Sequence, residues 1–486
     1  MALLPLSLDA SAGPLQVQLR HALVAAIDDR RLNAGQKLPP SRVLAQQLGI
    51  ARNTVTAVYD DLAVKGYLVA RERTGFFVGE RRAASALEPK PQASAINWDR
   101  KFVISPSTLR HIRKPANWQS YRYPFIYGQV DPTLFPIGVW RACSRDALGR
   151  AAIDYWAADR AVEDDPMFVE QICRQLLPAR GIFARPEEVM ITLGAQHGIY
   201  LIAQLLLRPG LEVGVEDPGY PDAKNIFLNA GAALRTLPVD TEGAIVSKAP
   251  RGLTLAMVTP TCQCPTTVTM SAARRQELLD FARRNDTIIV EDDYEGETIN
   301  GPNVPALKSM DTDGRVLYLG TLSKVLAPGV RLGYLVAPAP VIAEAKALRR
   351  LMHRSAPLNN QRTAAIFLAD GHYRGLAKTL RATLAERRSE LERCIDDYLP
   401  GFERPDSTQG ACVWLKCPKD VDGRDMVRLC EDEGVMIESG DPFVSAQNAG
   451  RYVRLGISSI DVRLIEPGIK AVAQAVANLR GDAGPI

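Results

Sequence analysis

No stretch of this chain approaches the 18 or more consecutive apolar residues of a membrane span, and Met1 to Ala12 lacks the basic leader of a secretory signal. A cytoplasmic location is the expectation, with no membrane partner. Cysteine is sparse: eight are scattered over 486 residues, and the closest pair, Cys262 and Cys264, has no second Cys or His pair at zinc-ligand spacing. Reduced thiols and no structural metal are expected. Internal repeats are absent. Charge of one sign is also scarce overall, with a net charge of only +4.

What is present is ordinary globular material, 46% hydrophobic and 23% charged, in a chain long enough for two to four domains. The charge is unevenly placed. Residues 1–79 hold nine Lys/Arg against six Asp/Glu, so this short head carries +3 of the +4. A basic head on a nearly neutral body hints at nucleic acid without deciding it.

The head reads as three helices and a hairpin. Leu15, Leu19, Leu23 and Ile27 recur at four-residue spacing within a helix from Pro14 to about Arg30. Asn33-Ala34-Gly35 breaks it. Ser41 to Leu48 forms a short helix, Gly49 turns the chain, and a third helix runs from Arg52 to Lys65, with Gly66 suited to its C-terminal cap. Strands follow at Tyr67–Ala70 and Gly75–Val78. The helix, Gly turn and helix have helix-turn-helix proportions, with Leu44, Leu48, Val55 and Val58 packing inward. Arg52, Asn53 and Thr54 then open the second helix, where side chains reach base edges and backbone N–H groups face phosphate. Arg42 begins the preceding helix, and Thr74-Gly75 at the hairpin tip can approach the minor groove.

From Glu80 to Ile96 apolar periodicity gives way to Ala, Pro, Ser and charge, the composition of a flexible linker. Residues 97–486 form the body. Strand-like runs at Val189–Thr192, Leu211–Val215, Leu253–Val258, Thr287–Val290 and Val316–Leu319 alternate with helical stretches, predicting a mainly parallel α/β sheet. A long charged helical region from about Ala339 leads to strands at Ala411–Lys416 and Tyr452–Ile457 in a smaller α+β lobe.

The strongest chemical signal is the run from Tyr318 to Gly333. A strand delivers Lys324 behind Thr321 and Ser323, and Arg331 follows seven residues later. That suits a lysine forming a Schiff base with an aldehyde while hydroxyls and a guanidinium hold a phosphate. Upstream, Glu291-Asp292-Asp293-Tyr294 closes an apolar strand at the sheet edge where α/β proteins bind ligands, and one such carboxylate can keep a pyridine nitrogen protonated.

The head, through Leu62, Gly66-Tyr67-Leu68 and Gly75-Phe76-Phe77-Val78, closely resembles the GntR family of winged-helix repressors. The body, through Gly194-Ala195-Gln196, Glu216-Asp217-Pro218-Gly219-Tyr220-Pro221 and the lysine segment, resembles the fold-type I aminotransferases over about 370 residues. Joined by a linker, the two resemble the MocR subfamily. The resemblance implies pyridoxal 5'-phosphate as cofactor, with Lys324 forming the internal aldimine, Asp292 pairing with the pyridine nitrogen, Tyr294 bonding the phenolic oxygen and Tyr220 stacking on the ring. Ala195, Gln196, Thr321, Ser323 and Arg331 would hold the phosphate. Arg454 would grip a ligand carboxylate, as its planar fork suits. The implied protein is a homodimer that binds operator DNA through Arg42, Arg52, Asn53, Thr54, Thr74 and Gly75. It would sense an amino compound by external aldimine formation at Lys324.

The sequence also departs from these families. Ala51 stands where a capping Ser is usual and Pro40 replaces another Ser. Cys262 and Cys264 replace a His and an aromatic residue, and aminotransferases often carry Asn where Cys264 falls. The stretch Tyr155 to Phe168 lacks the Gly-containing pattern after a Tyr that contacts the neighbouring subunit's phosphate. These changes count against efficient turnover, so the alternative, an active aminotransferase with an accessory DNA-binding head, ranks second. Lys324 and Asp292 argue against a third reading, a mere dimerisation scaffold.

Overall fold

The computed structural model describes residues 8–9, 13–79, 96–159, 162–299, 305–407 and 409–481. They fall into two compact units, 1–102 and 103–486. All of the expected linker except Ile96 lies outside the described residues. The body's compact unit opens at Val103 where the sequence suggested residue 97; Trp98 and Phe102 stack at 6.5 Å within the first unit.

In the first unit, α1 (Leu15–Asp28), α2 (Ser41–Leu48) and α3 (Arg52–Val64) precede a hairpin of β1 (Leu68–Arg71) and β2 (Gly75–Val78), paired Leu68 to Val78. Leu19, Leu23, Leu44, Val55, Val58 and Leu62 are fully buried together, as their helical spacing requires. Ala26 fills the last turn of α1, while Ile27 is half-buried beside it. Gly49 turns left-handed between α2 and α3. Neither helix N-terminus has a side-chain cap at Pro40 or Ala51.

The second unit begins with the short strand β3 (Tyr123–Pro124) and helices α4 (Ile137–Ala147), α5 (Ile153–Trp156), α6 (Pro166–Gln171) and α7 (Leu177–Ala179). Alternation then sets in: β4 (Val189–Thr192), α8 (Ala195–Leu206), β5 (Glu212–Asp217), α9 (Pro221–Asn229), β6 (Ala233–Asp240), β7 (Gly243–Ala244), β8 (Leu255–Val258), α10 (Ala272–Asn285), β9 (Ile288–Asp293), β10 (Val316–Thr321) and β11 (Gly333–Val336). These make an eight-stranded sheet in the order β4-β11-β10-β9-β8-β5-β6-β7. Strands β6, β5, β8, β9 and β10 run parallel, whereas β11 is antiparallel to both β10 and β4. The sheet is therefore mixed. Strand β11 follows β10 through a short connection carrying the lysine segment, too short for the crossover a parallel neighbour needs. Strand ends of β9 and β10 and the start of α8 thereby share one edge.

The helical region resolves into α11 (Ala339–Met352), α12 (Leu358–Ala369) and α13 (His372–Tyr398), followed by β12 (Cys412–Lys416), α14 (Gly423–Asp432), β13 (Val435–Met436), β14 (Glu438–Ser439), β15 (Tyr452–Gly456) and α15 (Ile465–Arg480). Strands β12, β15 and β14 form an antiparallel sheet with its own core, the smaller lobe. Among the described residues no helix is long and apolar enough to cross a membrane.

Candidate cofactor site and nucleic-acid interface

Strand alternation sorts the three acids that end β9. Glu291 and Asp293 point to one face: Glu291 accepts the backbone N–H groups of Leu307 and Lys308 at 2.8 and 2.7 Å, and Asp293 accepts from Arg180 Nε and Tyr318 Oη, each at 2.7 Å. Asp292 points the other way, into a cavity, where its buried Oδ1 has no hydrogen-bond partner. Burial and the neighbouring Asp293 carboxylate push its pKa up to about 7 against the pull of Lys324.

The same cavity is lined by Lys324, Ala195, Gln196, Tyr220, Tyr294, Thr321, Ser323, Arg331 and Arg454. Every residue assigned to the cofactor or ligand from sequence is thus brought to one place. Lys324 Nζ lies 3.9 Å from the centre of the Tyr127 ring and 5.8 Å from that of Tyr294. Burial holds its ammonium below the usual lysine range. Helix α8 begins after Gly194, and Gly194, Ala195 and Gln196 at its start line the cavity, where the first backbone N–H groups of a helix have no partner within it. Thr321 Oγ1 accepts the Ser323 N–H at 3.2 Å, the Ser323 hydroxyl is buried without a partner, and Arg331 Nη2 donates to the Leu193 carbonyl at 2.6 Å. A helix start, two hydroxyls and a guanidinium are the chemistry of a phosphate site. The unpartnered Asp292 oxygen fits a pyridine N–H, so these residues fit pyridoxal phosphate.

In the first unit, Arg52 and Asn53 are exposed and Thr54 half-buried at the start of α3. Arg52 Nε donates to Ser41 Oγ at 3.5 Å, which brings the starts of α2 and α3, and with them the exposed Arg42, to one surface. The Tyr59 hydroxyl, donating to the Pro39 carbonyl at 2.9 Å, fixes that approach from inside. At the hairpin tip Thr74 Oγ1 donates to the Arg71 carbonyl, and Gly75 has φ +105°. The Arg71 guanidinium covers the Phe77 ring at 4.5 Å, with Lys37 Nζ at 5.9 Å. These two cations add to the basic face and were not singled out in the sequence.

Residues 15–78 match the gntR family of bacterial regulatory proteins, and residues 165–472 match aminotransferase class I and II. The chain is similar to the HTH-type transcriptional regulator TauR of Rhodobacter capsulatus, at 41% identity over 96% of this chain and 97% of that protein. It is also similar to the probable rhizopine catabolism regulatory protein MocR of Rhizobium meliloti, at 30% identity over 96% of this chain and 95% of that one. The chain belongs to the MocR subfamily of GntR-type regulators. Its body shares the fold of LysN, the alpha-aminoadipate aminotransferase of Thermus thermophilus complexed with N-(5'-phosphopyridoxyl)-L-leucine, with a TM-score of 0.70, 23% identity and coverage of 79% of this chain and 100% of that one.

This MocR-type body has features that sequence motifs did not identify. Arg454 lies in the middle strand of the small lobe, opposite Glu438 on β14, and its Nε donates to Glu438 Oε2 at 2.9 Å. The pair is buried, not the surface pair that a strand-edge Arg would form. Arg454 Nη2 and Glu438 Oε1 remain without partners. Tyr127, three residues beyond β3, belongs to none of the motifs. Its hydroxyl donates to Glu295 Oε1 at 2.6 Å, and its backbone crosses Gly456 so closely that a Cβ there would lie 2.3 Å from Ile126 and Tyr127 backbone atoms. A three-residue stretch from β3 has no periodicity to betray such a contact.

Of the two unexplained cysteines, Cys264 lines the cavity and Cys262 accepts a weak hydrogen bond from the Tyr294 hydroxyl at 3.8 Å. All eight cysteines are free thiols. The side chain of Tyr155, on α5, lies outside the described residues.

Proposed function

We propose that this chain is a cytoplasmic, pyridoxal-phosphate-dependent transcription regulator whose head binds operator DNA and whose body senses an amino compound bearing an acid group. One observation carries the reading: an enclosed lysine nitrogen, a buried carboxylate oxygen without a partner and a buried hydroxyl without a partner converge on one cavity. When bound, pyridoxal phosphate supplies an aldehyde carbon that amines attack. Lys324 would hold that carbon, the position that a ligand's amino group would compete for. Asp292 keeps the pyridine nitrogen protonated, Tyr294 bonds the phenolic oxygen and Tyr220 packs against the ring. Ala195, Gln196, Thr321, Ser323 and Arg331 hold the phosphate. Arg454 takes the ligand's acid group through its free Nη2.

In the head, Arg52, Asn53 and Thr54 read the major groove, Arg42 contacts phosphate, and Thr74 and Gly75 approach the minor groove. The body, residues 97–486, forms the homodimer, and the linker, 80–96, lets two heads reach paired half-sites. Ligand exchange alters the small lobe, and its differential affinity for two lobe arrangements sets how far DNA binding shifts.

The decisive experiment is Lys324→Ala. The variant should lose the borohydride-reducible chromophore and every spectral response to amines, while operator affinity stays within about threefold because the head has its own core. An unchanged reducible chromophore would refute the assignment. A working aminotransferase is the second reading, favoured by the complete lysine and aspartate pair. Sustained keto-acid release from an amino donor would select it over the sensor.

A further inference from the structure

Lys114 comes from the irregular segment before β3, and no sequence motif pointed to it. The residue as a whole is exposed, yet its ammonium donates to the Tyr127 carbonyl at 2.5 Å. An ammonium has three donors, and the described residues give this one a single acceptor. A Cβ on Gly128 would lie 3.3 Å from Lys114 Nζ and 3.0 Å from Lys324 Nζ, so the two nitrogens are at most about 6.3 Å apart. Three cations therefore surround the Tyr127 ring: Lys324 Nζ at 3.9 Å, Arg454 Cζ at 4.6 Å and Lys114 Nζ at 5.7 Å from its centre. Glu295 offsets Lys324, and Glu438 offsets Lys114 and Arg454, yet Glu438 spends one oxygen on Arg454 Nε and leaves the other without a hydrogen bond. Ile112, two residues before Lys114, lines the cavity itself.

Like charges this close, with donors to spare, are costly unless an anion completes the set. We infer that Lys114 is a second cationic ligand for the acid group of the bound amino compound, acting with Arg454 across the face of Tyr127. The inference rests on the reading that the cavity receives an acid-bearing amine, and it goes further by giving that acid two cations from two different elements. One oxygen meets the free Arg454 Nη2 and another meets the unused Lys114 N–H groups. Burial, with Lys324 and Arg454 adding to it and Glu438 opposing, brings the Lys114 pKa down to about 8.

The test is a spectral titration of full-length, cofactor-loaded protein with β-alanine, L-alanine and L-aspartate as acid-bearing amines and n-propylamine as the acid-free amine. Three proteins are compared: wild type, Lys114→Gln and Lys114→Arg. Both variants keep a donor for the Tyr127 carbonyl, and only the arginine keeps the charge. Lys114→Gln should bind the tightest acid-bearing amine about 10- to 100-fold more weakly, with propylamine within about twofold of wild type; Lys114→Arg should restore most of the loss. Equal weakening of propylamine, or failure of Lys114→Arg to rescue, means that Lys114 only props up Tyr127 and overturns the inference. Unchanged binding of the acid-bearing amine in Lys114→Gln overturns it as well, leaving the sensing reading intact. Absence of any spectral response to all four amines in wild type overturns the sensing reading and this inference with it.

Discussion

Replacing Asp292 by Asn should stabilise the cofactor-free protein and weaken its hold on the cofactor, because the carboxylate is buried for a partner it meets only in the loaded state. Asp292 is 5% exposed and its Oδ1 is unpartnered. Burial, with Asp293, carries its pKa from an ordinary 3.8 up to about 7. Well below pH 4 the group is neutral in folded and unfolded chains, and burial costs little. Between about pH 4 and 7 the unfolded chain releases this proton and the folded one keeps it, so the folded state is progressively penalised. Above pH 7 the penalty is constant at no more than about 4 kcal/mol. Asn removes the charge but brings an unpaired amide, so the net gain at pH 8 should be about 1–3 kcal/mol, vanishing towards pH 4. Cofactor affinity should move oppositely. A charge-assisted bond to the ring nitrogen is lost, and pyridoxal phosphate should bind about 10- to 100-fold more weakly. Urea unfolding of cofactor-free wild type and variant at pH 4.5 and 8, with absorbance titration of each by pyridoxal phosphate, reads both effects. Equal stability of the two proteins at pH 8, or unchanged cofactor affinity, would refute the placement of Asp292 against the ring.

Arg52→Ala should weaken operator binding by about 1–3 kcal/mol if Arg52 reads a base, with the cofactor spectrum unchanged; equal loss on random DNA with a shallower salt dependence would make it a phosphate contact. Tyr59→Phe leaves the Pro39 carbonyl without its 2.9 Å donor, and should cost the head about 1–3 kcal/mol, seen as an earlier melting of the head while the cofactor absorbance stays in place. Identical melting would show that water replaces the hydroxyl.

Much of this architecture is written in short-range pattern. The helix Ser41–Leu48, the strands Gly75–Val78 and Val189–Thr192 and the start of α3 at Arg52 fall where periodicity and turn residues put them, because side-chain spacing, capping and turn chemistry act over a few residues. The order of Lys324, Arg331 and the acids of β9 along the chain was equally legible, since a strand end delivers a side chain to the sheet edge by local geometry. Other features needed long-range contact. That β11 inserts antiparallel between β4 and β10 depends on which edge accepts it. Alternation alone separates Asp292 from Glu291 and Asp293, but only the packing of Arg180 and Tyr318 on one side decides which face is the cavity. The trio of Lys114, Lys324 and Arg454 around Tyr127 joins segments more than a hundred residues apart. Lys324 and Arg454 stand in recognisable motifs, but Lys114 is unremarkable in sequence, and its meaning comes from the field of the other two, which exists only once the chain has closed around them.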